Sequence, residues 1–157
     1  MSAELPHVGS AAPDFTAPVS AEENLTLSDL KGQTVVLYFY PKDSTPGCTT
    51  EACDFRDNIA RLTSLNVKVI GVSKDSLKRH SNFATKHELP FPLVSDENTT
   101  ICEDYGVWKE KSMYGKTFMG IERTTLLIDD QGIVRQVWPK VKVKGHVDDV
   151  IAAVEAL

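Results

Sequence analysis

The chain has 157 residues, 41% of them hydrophobic and 25% charged, which is the make-up of one globular domain able to bury roughly 70% of its unfolded surface. A net charge of −5 and a pI near 5.3 argue against nucleic acid and anionic membrane as partners, and no apolar run approaches the roughly 20 residues of a membrane span. Three cysteines do not suit a secreted disulfide framework; with an N-terminus lacking basic and apolar regions, they point to a reducing, cytoplasmic setting.

Met1–Ser10 reads as a loose start, and Ala12–Pro18 as an extended edge segment containing two prolines. Asn24–Asp29 reads as a short strand entering a turn closed by Lys31-Gly32. Thr34–Tyr40 is an apolar, β-rich run of the kind a buried strand needs, and Pro41 stops it. Pro46-Gly47 marks a turn. Ala52, Phe55, Ile59 and Leu62 then recur at spacings of three and four, so one helix is expected through Leu62.

Cys48 falls at the start of that helix, where unpaired N–H groups and the positive end of the helix dipole favour a thiolate. Cys53 lies five residues on, in the same helix.

Val67–Ser73 is a second buried strand, and strand–helix–strand with short links implies a right-handed parallel crossover. Asp75 is the expected N-cap of a helix running to about His87. Leu93-Val94 reads as a short strand, and a short helix opens at Asp96 or Asn98 and runs to Tyr105. Val107–Gly120 reads as a long loop. Thr124–Asp129 is a third core strand with Ile133–Trp138 as its hairpin partner, and Val147–Leu157 is a C-terminal helix. The order β-α-β-α-β-β-α is that of an α/β thioredoxin-like fold in a single domain, a mixed sheet with helices on both faces and an N-terminal extension. His7, His80, His87 and His146 are scattered and carry no motif.

Pro41, Thr45 and Cys48 stand as P-x-x-x-T-x-x-C, which resembles the active-site signature of the peroxiredoxins. The wider text YFYPKDSTPGCTTEACDFRD, with FPLVSDE, YGVW and GIERTTLLID downstream, is similar to the peroxiredoxin Q group, also called bacterioferritin comigratory protein. That resemblance implies a cofactor-free thiol peroxidase acting on hydrogen peroxide and organic hydroperoxides. It implies that Cys48 is the peroxidatic thiol, attacking peroxide and becoming a sulfenic acid. Thr45 would hydrogen-bond the thiolate or the peroxide, Pro41 would pack over it, and Arg123 matches the family's active-site arginine. Glu51 matches a position that helps to orient the arginine. The physical case for Arg123 is its planar fork, which holds two acceptors at once and steadies developing charge. Phe39, Tyr40 and Trp108 are candidate walls of the pocket.

Cys53 matches the resolving cysteine of the subtype that carries both thiols in one helix. A second subtype places its resolver in the next helix, near Phe83 and Ala84, where this chain has no cysteine. The resulting Cys48–Cys53 disulfide would be reduced by thioredoxin or a glutaredoxin-like dithiol, and the subtype suggests a monomer. Five residues of ideal helix set the two Cα atoms roughly 9 Å apart, beyond the ~7 Å that a disulfide spans, so closing the bond requires the first turns to unwind.

Blander readings stand beside these. Cys48 could be an inert core thiol, and Cys53 a structural one, leaving resolution to an outside thiol. Arg123 could be an ordinary ion-paired surface arginine, and Thr45 a helix cap with Pro46 at the first helical position. Cys102 reads as core, and Lys140–Lys144 as a solvated loop. A zinc site from Cys48, Cys53 and a histidine lacks a second ligand pair. Two other function classes compete: a thioredoxin-type disulfide oxidoreductase, disfavoured because Thr45 stands where a first thiol would be needed, and a metal-binding or interaction module.

Overall fold

The computed structural model describes residues 4–157; the first three residues of the loose start lie outside the described residues. The elements are β1 (Thr16–Pro18), β2 (Asn24–Thr26), β3 (Thr34–Phe39), α1 (Pro46–Asp57), α2 (Ile59–Ser64), β4 (Val67–Ser73), α3 (Leu77–His87), β5 (Leu93–Ser95), α4 (Ile101–Asp104), β6 (Trp108–Met113), β7 (Lys116–Ile121), β8 (Thr124–Ile128), β9 (Val134–Trp138) and α5 (His146–Glu155). The central sheet has five strands in the order β5-β4-β3-β8-β9. β3, β4 and β5 run parallel, and β8 and β9 antiparallel to their neighbours. This is the expected mixed thioredoxin-like sheet, with β3 at its centre.

Alternation along β3 divides the interior in two. Val36, Tyr38 and Tyr40 face one core with Cys48, Ala52, Phe55, Phe83 and the buried side of α5. Val35, Leu37 and Phe39 face the other, with Ile101, Cys102, Tyr105 and Val107. Tyr38 lies opposite Gly71 of β4, where a Cβ would come within 3.0 Å of the phenol and 2.9 Å of Leu93 Cδ2. Only glycine leaves room for that ring.

Three expectations are corrected. The helix through Leu62 is two helices, broken at Asn58. The Asn58 side chain donates to the Asp54 carbonyl at 2.8 Å, so a side-chain amide takes the place of a helical N–H while the apolar spacing carries across the break. The N-cap of α3 is Ser76, whose hydroxyl accepts from Arg79 N, rather than Asp75. Val107–Gly120 is not a loop: β6 and β7 form an antiparallel hairpin in register from Trp108–Ile121 to Met113–Lys116. Its turn places Tyr114 and Gly115 at φ values of 53° and 76°. In addition, the Asn24–Asp29 strand ends at Thr26, and Leu27–Leu30 form a 3-10 turn.

Candidate active site

Cys48 is the third residue of α1, packed against β3 and only 2% exposed. Arg123 approaches it from the link between β7 and β8. The backbone there is pinned on both sides: Glu122 N donates to the Val107 carbonyl at 2.8 Å, and the Arg123 carbonyl accepts from Val141 N at 2.9 Å. Arg123 Nη2 donates to Cys48 Sγ at 3.3 Å, and Nη1 donates to Glu51 Oε1 at 2.7 Å. Glu51 stands one helical turn beyond Cys48 on the same face, fully buried. One guanidinium thus bridges the thiol and the carboxylate, using the two-acceptor fork that a lysine lacks.

The electrostatics follow from burial. Desolvation pushes the Glu51 carboxyl up to about 7, with Arg123 pulling it the other way. Burial works against the Arg123 charge, and Glu51 and Cys48 together outweigh it, so its pKa is raised. Among the described residues, Glu51 Oε2 has no hydrogen-bond partner.

Thr45 is the N-cap residue and Pro46 the first residue of α1. Its hydroxyl donates to the Lys42 carbonyl at 2.8 Å and caps nothing in α1. The expected cap bond is therefore absent among the described residues, and the hydroxyl is turned back along the loop. Pro41, half-buried, ends β3 at the head of the same loop.

Cys53 is half-buried on a different side of α1, its sulfur 3.9 Å from His87 Nδ1. Both cysteines are free, in one unbroken helix. Cys102 is fully buried in the opposite core, where burial and then Asp96 push its thiol far up.

Of the three candidate walls, Tyr40 faces the Cys48 core. Phe39 points to the other side of the sheet, its ring 5.1 Å from that of Tyr105. Trp108 also belongs there and sits under Lys74 Nζ at 5.1 Å. The wall that strand period would have supplied is Tyr38, two residues from Tyr40 and stacked on Phe55 at 4.7 Å. Burial, then Glu51 and Cys48, push its phenol well up, so it faces the site as a neutral group.

Other site residues had no local signal. Lys111 of β6 is close enough to Arg123 and Cys48 for both to act on its amine, which burial, then Arg123, push down. His80, unmotivated in sequence, anchors the loop before Cys48. Its Nδ1 is 2.6 Å from Asp43 Oδ2, its Nε2 is 3.0 Å from the Val94 carbonyl, and Asp43 Oδ1 accepts from Tyr40 Oη at 2.6 Å. Asp43 N donates to Asp75 Oδ2 at 2.8 Å. Asp43, Asp75 and His80 lie close enough together to suggest a metal, but Asp43 and His80 are bonded to each other, and Asp75 is engaged by Asp43 N, Ser73 Oγ and Arg79 Nε. His146 bonds Thr125 Oγ1 at 2.8 Å, and burial pushes its imidazole down to about 4.

Comparison with known proteins places this geometry. The family model described as AhpC/TSA matches residues 8–137. A putative peroxiredoxin bcp of Coxiella burnetii is 56% identical over 92% of this chain and 95% of its own length. Peroxiredoxin Bcp of Bacillus subtilis is 50% identical over 92% of each. Among solved structures, the bacterioferritin comigratory protein of Xanthomonas campestris superposes with a TM-score of 0.90 at 45% identity, covering 99% of this chain and 98% of its own. A PrxQ of Xylella fastidiosa, crystallised as a mutant, gives a TM-score of 0.90 at 39% identity, with 96% of each chain covered. The chain belongs to the AhpC/TSA family and, within it, to the peroxiredoxin Q (Bcp) group of thiol-dependent peroxidases.

Proposed function

We propose that this peroxidase reduces hydrogen peroxide and organic hydroperoxides through Cys48. The Xanthomonas campestris relative was studied for alkyl peroxide reduction, which supports organic hydroperoxides as substrates here. The thiolate attacks one peroxide oxygen; the S–O bond forms as the O–O bond breaks, leaving a sulfenic acid and an alkoxide that takes up a proton. Arg123 steadies the thiolate and the departing oxygen, and Glu51 aims Arg123. Thr45 contacts the incoming peroxide after its hydroxyl turns away from Lys42, and Pro41 shields the thiol from water. Cys53 then condenses with the sulfenic acid, releasing water. A thioredoxin or glutaredoxin-like dithiol reopens the disulfide by exchange. We further propose that the protein works as a cytoplasmic monomer; a total of three cysteines suits catalytic thiols in a reducing compartment better than a secreted disulfide framework.

The observation that carries this reading is the single guanidinium donating to both Glu51 and Cys48. Mass spectrometry of the reduced protein treated with one equivalent of peroxide tests it. A Cys48–Cys53 bond is expected in the native protein, a Cys48 sulfenic acid in Cys53→Ser, and no peroxide consumption in Cys48→Ser. Sulfenic acid appearing first on any other cysteine overturns it.

A further inference from the structure

We propose that His87 is the base that takes the Cys53 proton when Cys53 closes the disulfide. This rests on Cys53 being the resolving thiol.

A neutral thiol is a poor nucleophile, and the thiolate is the attacking form. Cys48 has Arg123 beside it for that purpose. The imidazole next to Cys53 gives it a different solution. His87 ends α3, and its Nδ1 lies 3.9 Å from Cys53 Sγ, within hydrogen-bond range for sulfur. With the ring proton on Nε2, Nδ1 is the acceptor that the S–H requires.

The pairing is held from both sides. Arg56, one turn beyond Ala52 on α1, donates from Nη1 to the His87 carbonyl at 2.8 Å. The Phe83 ring lies edge-on to the imidazole at 5.1 Å. Ala52 and Phe55, on either side of Cys53, are fully buried. The part of α1 that carries Cys53 is therefore fastened to α3, whereas the first turn lacks a side-chain cap bond among the described residues. When the turn bearing Cys48 unwinds, Cys48 travels to a Cys53 that stays against its base.

The step balances without another reagent. The Cys53 S–H bond breaks and its proton moves to Nδ1. The thiolate pair forms the S–S bond as the Cys48 S–O bond breaks, and the departing hydroxide takes the proton from the imidazolium, leaving water and neutral His87. The electrons that reduce the Cys48 sulfur come from the Cys53 sulfur.

Quenched-flow with alkylation and mass spectrometry, after one equivalent of hydrogen peroxide, times sulfenic acid and disulfide separately. His87→Ala should leave the first event unchanged and slow the second by roughly 10²-fold, the low end of what a positioned general base contributes. Added imidazole should restore it. His87→Gln, which keeps an acceptor but not a base, should stay slow. Native closure in His87→Ala, failure of imidazole to rescue it, or full closure in His87→Gln each overturn the proposal. Cys53→Ser separates this from the underlying reading: if that variant still closes an internal disulfide at the native rate, the resolver assignment fails rather than the role of its base.

Discussion

Glu51 and Arg123 form an ion pair whose two halves differ in exposure: the carboxylate side chain is 1% exposed and the guanidinium 16%. Burial taxes Glu51 more than its partner repays, leaving its folded pKa at about 7 against 4.5 for the free group. A group with a raised folded pKa contributes stability that is complete below about 4.5 and is lost as pH rises through about 7. The free energy of unfolding should therefore fall across that window by on the order of 3 kcal/mol more in the native protein than in Glu51→Gln. Urea unfolding at pH 5 and pH 8 measures it, and parallel changes in the two proteins would remove Glu51 as the cause.

Arg123 holds two acceptors with two different nitrogens. Arg123→Lys keeps the charge and loses the fork, so it should retain one contact at most. The rate of peroxide reduction should drop roughly 10²-fold, in line with removing one aimed donor from a site of charge development. Stopped-flow mixing with hydrogen peroxide measures it; a rate within twofold of native would mean that charge alone suffices.

How much of this site was legible follows from how far apart its parts lie. Cys48 stands out because strand, proline and helix period are local, whereas Glu51, though only three residues on, is reached through likeness to a family. Arg123 lies 75 residues from Cys48 and is legible only through likeness to a family, since no spacing rule links the end of β7 to the mouth of α1. Asp43 and His80, 37 residues apart, had neither guide. Strand period alone puts Tyr38 beside Tyr40, on the same face of β3. The β6–β7 hairpin is not legible in the sequence, because its exposed strands, with charges such as Lys109, Glu110, Lys111 and Lys116, lack a buried apolar face, and because Tyr-Gly stands in the turn where Asn-Gly would signal it.

Closing a bond between Cys48 and Cys53 is incompatible with the regular α1 that holds both. Oxidation by one equivalent of peroxide should therefore reduce far-ultraviolet helix signal and speed amide exchange from Gly47 through Cys53, leaving β3 protected. Cys53→Ser should show neither change. An oxidised protein whose α1 amides exchange as slowly as in the reduced form would place the disulfide elsewhere.

The loop between β3 and α1 is tied down by Asp43, whose carboxylate serves Tyr40 and His80 and whose N–H serves Asp75. Asp43→Ala leaves His80 and the Tyr40 hydroxyl buried without that acceptor. Breaking a buried pair from one side costs roughly 3–5 kcal/mol, which lowers Tm by on the order of 10 °C in a domain of this size. Asp43→Asn, which still accepts from Tyr40, should lose less. Calorimetry ranks the two, and equal melting temperatures for all three proteins would deny the network any hold on the loop.

Gly47 offers the sharpest separation of stability from activity. It is the second residue of α1, and a Cβ there would stand 3.2 Å from Arg123 Nη2, tighter than ordinary van der Waals contact. In an exposed helix, replacing glycine by alanine gains up to about 1 kcal/mol, so local propensity favours the change. The guanidinium, however, must yield by a few tenths of an ångström, and the nitrogen that yields is the one donating to Cys48. Gly47→Ala should therefore melt no lower than native while reducing peroxide several-fold more slowly, with disulfide closure unaffected. Native peroxide kinetics in that variant would show that Arg123 has slack around the thiol, and that the 3.3 Å contact does not set the rate.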